Sequence, residues 1–161
     1  MKLINFIKIN SEQVVAPVSG KCVSITQVND EVFSSKAMGD GFAIIPKDCM
    51  VVSPVNGEVV LIAETKHAFG LKTKKGLEVL VHIGLDTVQL EGKGFNVHVK
   101  QGDKVKAGDQ VISFDKTYVE NSSIDMTTMT IFTSGMTEEV CLECYETVSY
   151  THLTLPTILL V

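Results

Sequence analysis

The sequence predicts an all-β protein: an antiparallel β-sandwich or flattened barrel with a duplicated motif and short helical turns only. Three observations lead to this prediction. Short runs rich in Val, Ile and Thr alternate between apolar and polar residues, glycine-containing turns separate these runs, and no region keeps a 3.6-residue apolar period over several turns. Because 161 residues are enough to bury one core, a single domain is expected.

The composition narrows the class of partners and the compartment. The net charge of -5 argues against nucleic acid and suits a basic protein partner. No apolar run is long enough to span a membrane, and Lys2 and Lys8 interrupt an opening segment that lacks a signal-peptide cleavage site. The cysteines are irregularly spaced, so buried free thiols are expected at Cys22 and Cys49 rather than a disulfide framework. We therefore expect a cytoplasmic protein with at most indirect contact with a membrane.

The first predicted elements form a repeat. Residues 14–26 return as residues 51–63, and seven of the thirteen positions are identical. Each copy has the pattern strand, proline, glycine turn, strand. Proline cannot donate to a β-ladder, so Pro17 and Pro54 are expected at strand ends, edges or bulges. Neither copy can cover its own apolar face, and the two copies are therefore expected to pack together.

The segment between the two copies predicts a short helical turn and a strand. Residues 30–38 can form the helical turn, with Asn29 or Asp30 as its N-cap. Gly39-Asp40-Gly41 predicts a plain turn before the strand, because a phosphate-binding loop would need a helix behind it and the sequence predicts none there.

The next predicted strand spans residues 77–83 and carries a histidine. Apolar residues at alternating positions place one face in the core, and His82 lies on the opposite face together with Leu80. Gly84 is expected to end the strand, and Asp86 to lie in the turn that follows. His82 is therefore expected to project from a rigid strand rather than from a loop.

A hairpin is expected to bring a second histidine to the same place. The polar segment 72–76 predicts the turn between two antiparallel strands. His67 lies before this turn and His82 after it, so the two side chains can face each other across the strand pair. The hairpin therefore predicts a site that contains two imidazoles.

The strands after this hairpin are expected to be short. Gly-Asp corners at 102–103 and 108–109 separate two of them, residues 115–121 are polar, and residues 126–133 predict a further β-branched strand. Tight corners at this spacing are typical of compact β folds.

The last part of the chain departs from these patterns. Cys141 and Cys144 have CxxC spacing, but no second pair completes a zinc site and no thioredoxin-like context surrounds them. Residues 148–161 show neither alternation nor a charged residue and resemble the translation of a sequencing adaptor, so we set them aside as a suspected non-native tail. The domain is expected to span residues 1–147 and to be truncated at its C-terminal end.

The motifs as a set resemble the glucose-type enzyme IIA (EIIA) domain of the bacterial phosphoenolpyruvate:sugar phosphotransferase system. The matching segments are the two proline-containing repeats, Gly-Asp-Gly at 39–41, Thr-Lys-His-Ala-Phe-Gly at 65–70, Val-His-Ile-Gly-Leu-Asp-Thr-Val at 81–88 and the Gly-Asp corners. They cover most of the chain, from about residue 7 to about residue 133. The resemblance implies an antiparallel β-sandwich built on duplicated hybrid motifs, in agreement with the internal repeat.

The resemblance implies a phosphocarrier that works during sugar uptake. His82 matches the family's phosphoryl acceptor, which receives the group from phosphohistidine on HPr and passes it to a cysteine of a sugar-specific EIIB domain. His67 matches a second histidine that stabilises the phosphoryl group, and Thr65 matches a residue that orients the pair by hydrogen bonding. A neutral imidazole is a competent nucleophile near neutral pH. No cofactor and no metal are implied.

The resemblance also implies a docking surface for HPr and EIIB. An apolar rim is expected around the histidines, together with acidic residues that contact cationic side chains of the partners. The rim consists of Val32, Phe33, Phe69, Leu80 and Val88, and the acidic residues are Asp30 and Asp86.

Three other functions stay open on the sequence alone. A regulatory protein could bind partners through the same surface without transferring phosphate. A zinc peptidase is suggested by the spacing of His82 and Asp86, but His98 lacks the second histidine that would complete three ligands. A biotinyl or lipoyl carrier is suggested by the Gly-Asp corners, but the motif around a modifiable lysine is missing at Lys72, Lys74 and Lys75.

Overall fold

The structure is a computed structural model that describes residues 7–9, 12–137, 140–142 and 158–160. The strands within these residues are β1 (Ile7–Ile9), β2 (Glu12–Val14), β3 (Gly20–Ser24), β4 (Asp40–Pro46), β5 (Met50–Val52), β6 (Gly57–Ile62), β7 (Ala68–Lys72), β8 (Glu78–Ile83), β9 (Phe95–Val97), β10 (Lys104–Val105), β11 (Gln110–Phe114), β12 (Thr128–Ser134), β13 (Val140–Leu142) and β14 (Ile158–Leu160). Two short helices, α1 (Glu31–Ser34) and α2 (Lys116–Asn121), and 3-10 turns at Ile25–Gln27 and Thr87–Leu90 complete the elements.

The strands pair in an antiparallel manner and confirm the predicted all-β class. A seven-stranded sheet has the order β10-β6-β7-β8-β12-β4-β3, a three-stranded sheet has the order β5-β11-β9, and β1 pairs with β2. The strand β8 lies near the middle of the large sheet, between β7 and β12. A strand hydrogen-bonded on both sides is a rigid mount for a functional side chain.

The main core lies between the two sheets. Inward-facing residues of the large sheet, such as Val81 on β8 and Phe42 on β4, belong to one buried cluster with Val51 and Ile112 of the small sheet. Large apolar side chains from two sheets in one cluster define a β-sandwich. The predicted sandwich is therefore confirmed.

A second, smaller apolar cluster lies on the outer face of the large sheet. The segment that contains the first 3-10 turn and α1 covers this face with Ile25 and Phe33, which pack with Met129 and Ile131 of β12. These four side chains are at most 6% exposed. Because His82 projects from the same face of the sheet, side chains of this cluster are its neighbours.

The two copies of the repeat hydrogen-bond to each other. The Val15 amide donates to the Pro54 carbonyl at 2.8 Å, and the Val52 amide donates to the Pro17 carbonyl at 2.7 Å. Both prolines lie between strands and act as acceptors, which needs no amide hydrogen. The expected packing of one copy against the other is confirmed.

Other local predictions have mixed outcomes. Asp30 is the N-cap of α1, with its carboxylate accepting from the Val32 amide at 2.9 Å, but the α-helix ends at Ser34 and is shorter than the range predicted from the sequence. The helix α2, which the sequence analysis treated only as polar chain, is capped by Asp115, whose carboxylate accepts from the Tyr118 amide at 2.8 Å.

The two cysteines whose side chains the structure describes differ in exposure. Cys22 is buried, and burial raises the pKa of its thiol to about 12, in agreement with the expected inert thiol. Cys49 is half-buried, and burial raises the pKa of its thiol as well.

The predictions for the C-terminal part fall largely outside the described residues. Cys144, the domain end at 147 and most of the suspected tail 148–161 lie there. The backbone of Ile158–Leu160 is described, and it pairs in an antiparallel manner with Val140–Leu142. Among the residues that the structure describes, no helix is long and apolar enough to cross a membrane.

Candidate functional site around two histidines

The strand β8 has the alternation that the sequence predicts. Val79, Val81 and Ile83 are buried, whereas Leu80 and His82 are half-buried on the opposite face. Alternate side chains of a strand point to opposite faces of the sheet, so the three apolar residues anchor the strand in the core and leave the imidazole on the outer side.

The hairpin between β7 and β8 brings the two histidines together. His67 directly precedes β7, and its carbonyl accepts a hydrogen bond from the Ile83 amide at 2.7 Å. The ring centroids of His67 and His82 are 4.8 Å apart, with the rings inclined by 74°. The juxtaposition expected from the turn at residues 72–76 is thus present.

The hydrogen bond of His82 selects its tautomer. Nδ1 of His82 lies 2.9 Å from the carbonyl oxygen of Gly84. A carbonyl oxygen can only accept, so Nδ1 must carry the proton, and the other ring nitrogen, Nε2, keeps its lone pair in the neutral ring. A nucleophilic nitrogen is therefore available at Nε2.

The hydrogen bond of His67 involves a threonine in the turn before it. Nδ1 of His67 lies 2.6 Å from the Thr65 hydroxyl oxygen. A hydroxyl group can donate or accept, so this bond allows both neutral tautomers of His67. When the hydroxyl donates, Nε2 of His67 carries the proton and can act as a hydrogen-bond donor.

Burial keeps both imidazoles neutral near pH 7. It lowers the pKa of His82 from 6.5 to about 4, with the neighbouring His67 adding to the effect and the Gly84 carbonyl, Asp30 and Asp86 opposing it. Burial also lowers the pKa of His67, and a hydrogen bond to the backbone of Thr65 opposes this shift. A neutral ring retains the lone pair that nucleophilic attack requires.

The surface around the histidines combines exposed apolar and acidic side chains. Val32 and Val88 are 51% and 53% exposed. Asp30 and Asp86 are close enough to His82 to act on its pKa, and Asp86 is exposed. The two acidic residues thus lie near His82, and the assignment of Val32 and Val88 to a docking surface stays a prediction.

Two residues of the predicted rim do not belong to an exposed surface. Phe69 is fully buried in the core between the sheets. Ala68, the first residue of β7, lies opposite His82 in the ladder and shares its face of the sheet, so Phe69 points to the other face. The prediction that Phe69 contacts partners is therefore wrong. Phe33 is only 6% exposed, and its ring packs against the His82 ring at a centroid distance of 5.0 Å. It therefore supports the imidazole from inside the protein and offers little surface to a partner.

Leu80 is intermediate between these cases. It is half-buried on the outer face of β8, and it packs against the apolar cluster below α1. Part of its side chain is accessible beside the histidines, whereas the rest supports the cluster.

Sequence reasoning missed several groups that shape the site. The Gly84 carbonyl is the acceptor for His82, and Met129 on β12 lies opposite His82 in the ladder. A glycine directly after a histidine-bearing strand was a signal for the first. Nothing in the sequence pattern indicated the second, because the pairing of β12 with β8 joins distant parts of the chain.

Within the described residues, the two histidines are not joined by further side chains that would make a metal site. There, no group of three or more His, Cys, Asp or Glu side chains is arranged to hold a metal ion. His98 lies beside the small sheet, where its Nε2 is 2.8 Å from the Ser113 hydroxyl oxygen.

Fold and site together define a β-sandwich protein that presents two neutral, adjacent imidazoles to its surroundings. Residues 12–137 match the family model described as phosphoenolpyruvate-dependent sugar phosphotransferase system, EIIA 1. The chain belongs to this family, as the sequence motifs predict, and is a phosphotransferase-system component with a phosphocarrier role in sugar uptake.

Known relatives agree with this assignment. The chain is 47% identical over 127 residues to the glucose-specific EIIA component of Bacillus cereus, covering 79% of this chain and 77% of the relative. It is 50% identical over 125 residues to the glucose-specific EIICBA component of Streptococcus pneumoniae, covering 78% of this chain and 17% of that larger protein. The structure resembles glucose permease IIA from Mycoplasma capricolum with a TM-score of 0.73 and 44% identity, covering 76% of this chain and 79% of that one.

Proposed function

We propose that Nε2 of His82 accepts a phosphoryl group from phosphohistidine on HPr and passes it to a cysteine of the EIIB domain of a sugar permease. The observation that carries this proposal is the hydrogen bond between Nδ1 of His82 and the Gly84 carbonyl. It leaves Nε2 as the nucleophilic atom of a ring that burial keeps neutral. The EIICBA composition of a relative supports the EIIB domain as recipient.

Each transfer exchanges one bond to phosphorus for another. In the first, the Nε2 lone pair of His82 attacks phosphorus, and the bond between phosphorus and the donor imidazole breaks with its electron pair returning to that nitrogen. In the second, a cysteine thiolate attacks the same phosphorus, and the bond to Nε2 of His82 breaks. No other reactant is consumed. The neutral, Nδ1-protonated ring is thus the same before and after one cycle.

His67 supplies a hydrogen bond to the phosphoryl oxygens in this proposal. Its ring is 4.8 Å from that of His82, and the Thr65 hydroxyl, at 2.6 Å from Nδ1, can hold the proton on Nε2. A donor already in place toward the developing charge lowers the barrier without reorganisation. Thr65 therefore acts by orienting His67.

The charge near the nucleophile favours partners that carry positive charge. The acidic residues Asp30 and Asp86 lie near His82. A basic partner such as HPr would be attracted by this charge, while the exposed Val32 and Val88 would exclude water from a phosphohistidine that hydrolyses readily. These steps are expected to take place in the cytoplasm.

The experiment is incubation with phosphoenolpyruvate, enzyme I and HPr, with phosphate on the chain read by intact mass. Wild type and His98→Gln, a matched control outside the site, are expected to gain one acid-labile phosphate. His82→Gln is expected to gain none, and His67→Gln is expected to gain it but to pass it on to EIIB slowly.

A folded wild-type chain that stays unmodified would contradict the transfer. In that case the exposed surface around Val32 and Val88 would favour the second candidate, a regulatory module that binds partners without transfer. Calorimetric titration with HPr, carried out in the absence of phosphoenolpyruvate, separates binding from transfer.

A further inference from the structure

We propose that Thr87 is a positioning residue that holds the Gly84 carbonyl in place and thereby fixes the proton of His82 on Nδ1. This inference rests on the proposed function for its consequence in phosphoryl transfer. Its structural basis is that the acceptor for the nucleophile is a glycine, the residue with the most backbone freedom. A glycine carbonyl keeps one direction only when its neighbours hold it.

The Thr87 side chain bonds to the residue before the glycine and lies against the glycine itself. Its hydroxyl donates to the Ile83 carbonyl at 2.6 Å, and the residue is fully buried. Its methyl group, Cγ2, lies 2.5 Å from the position that a side-chain Cβ would occupy at Gly84. Gly84 has a φ of +76°, which other residues rarely adopt, so Thr87 packs against a backbone that only glycine forms readily here.

Two backbone hydrogen bonds complete the anchoring of Gly84. Its own amide donates to the Thr127 carbonyl at 3.1 Å, and the Leu85 amide donates to the Asp125 carbonyl at 2.7 Å. The peptide group before the glycine is therefore held at its oxygen by Thr87 and at its nitrogen by Thr127. Of these three anchors, the Thr87 bond alone uses a side chain, and it can be removed by substitution.

Loss of the Thr87 hydroxyl frees the oxygen of the Ile83–Gly84 peptide. This peptide is then held only at its nitrogen, by Thr127, and gains freedom to tilt, which shifts the adjoining Gly84 carbonyl from its position 2.9 Å from Nδ1 of His82. The Nδ1-protonated ring loses its partner, and part of the population places the proton on Nε2 instead. That tautomer has no lone pair at the atom that attacks phosphorus.

The test is long-range ¹H–¹⁵N correlation of the His82 ring in the full chain at pH 7, with the phosphorylation rate by HPr measured in parallel. Thr87→Val keeps the shape and removes the hydroxyl, and we expect the ratio of Nδ1-protonated to Nε2-protonated His82 to fall up to about tenfold, the equivalent of one net hydrogen bond. The phosphorylation rate is expected to fall about two- to tenfold. Thr87→Ser, which keeps the hydroxyl, should restore both.

A matched control is available on the neighbouring strand. Thr130 is as buried as Thr87, but its hydroxyl has no hydrogen-bond partner among the described residues. Thr130→Val is therefore expected to keep the wild-type tautomer and the wild-type rate. A wild-type tautomer ratio in Thr87→Val, or an equal loss in Thr87→Ser, would overturn the proposal.

The wild-type chain provides a measurement that needs no variant. A buried hydroxyl proton engaged in a short hydrogen bond exchanges slowly, so the Thr87 hydroxyl should give an observable proton resonance, and His82 should be protonated at Nδ1. An Nε2-protonated His82 would refute the positioning role even if Thr87→Val did not fold. A tautomer that responds to Thr87→Val in a chain that HPr does not phosphorylate would instead refute the proposed function alone.

Discussion

Acidification is expected to destabilise the protein through His82. Burial lowers the pKa of this ring from 6.5 to about 4. Between these values the unfolded chain binds a proton at His82 and the folded chain does not, so the free energy of unfolding falls as the pH falls through this window. The contribution of the neutral His82 ring to the free energy of unfolding is fully present above pH 6.5 and is fully lost near pH 4.

The size of this effect follows from the width of the window. Each pH unit inside it costs about 1.4 kcal/mol, so lowering the pH from 6.5 to 5 costs about 2 kcal/mol. Because the side chain is only partly buried and solvent screens some of the effect, we expect a loss of about 1–2 kcal/mol between pH 7 and pH 5.

Urea unfolding at pH 7 and pH 5 measures this loss. His82→Gln cannot bind the proton, so its free energy of unfolding should change less between the two pH values than that of wild type. His98→Gln removes an exposed histidine outside the site and should keep the wild-type change. Equal losses in wild type and His82→Gln would show that the folded chain does not disfavour protonation of His82, and the argument for a neutral nucleophile would fail with it.

Four further substitutions test single side chains. Thr130→Val is expected to raise the free energy of unfolding by about 1 kcal/mol, because the hydroxyl is buried without a partner among the described residues, and a loss in urea unfolding would contradict this. Phe69→Ala is expected to cost about 3–5 kcal/mol, whereas Val88→Ala should cost less than about 0.5 kcal/mol and weaken HPr binding in calorimetry; similar losses of stability would refute their assignment to core and surface. Thr65→Val is expected to slow transfer from phosphorylated His82 to EIIB up to about tenfold, and an unchanged transfer rate would remove Thr65 from the mechanism.

The positions of the two histidines were predictable because they depend on residues that are close in the sequence. Alternation along β8 placed His82 opposite the core, and the polar turn at residues 72–76 placed His67 beside it. The early repeat indicated two copies that pack together, which the hydrogen bonds between Val15 and Pro54 confirm. Each of these predictions used a period or a turn that the sequence displays directly.

The error at Phe69 came from the family resemblance, which assigned this residue to the rim around the histidines. His67 and Phe69 are two residues apart, but Phe69 lies in the strand β7 itself and His67 lies in the turn before it. The preceding residue, Lys66, has a φ of +57°, so the alternation of β7 does not continue backward through it. Phe69 therefore points into the core although its neighbour in the pattern belongs to the site.

Other groups could not be predicted because distant parts of the chain supply them. Met129 comes beside His82 only through the pairing of β12 with β8. The Gly84 carbonyl depends on anchors at Asp125 and Thr127, far along the chain. Backbone acceptors and long-range neighbours leave no signature in the period of a single strand.

The reciprocal bonds between the two repeats also set the order in which the chain can fold. The hairpin that carries both histidines is local in sequence and can form early, whereas the contact between Val15 and Pro54 must close a long loop at an entropic cost. The core needs residues of β9, β11 and β12 as well, which are synthesised later. A fold dominated by such distant pairings is slow to form, on the order of milliseconds to seconds. During synthesis, therefore, the inner face of the histidine hairpin lacks part of its cover until β9 and β11 of the small sheet have been made.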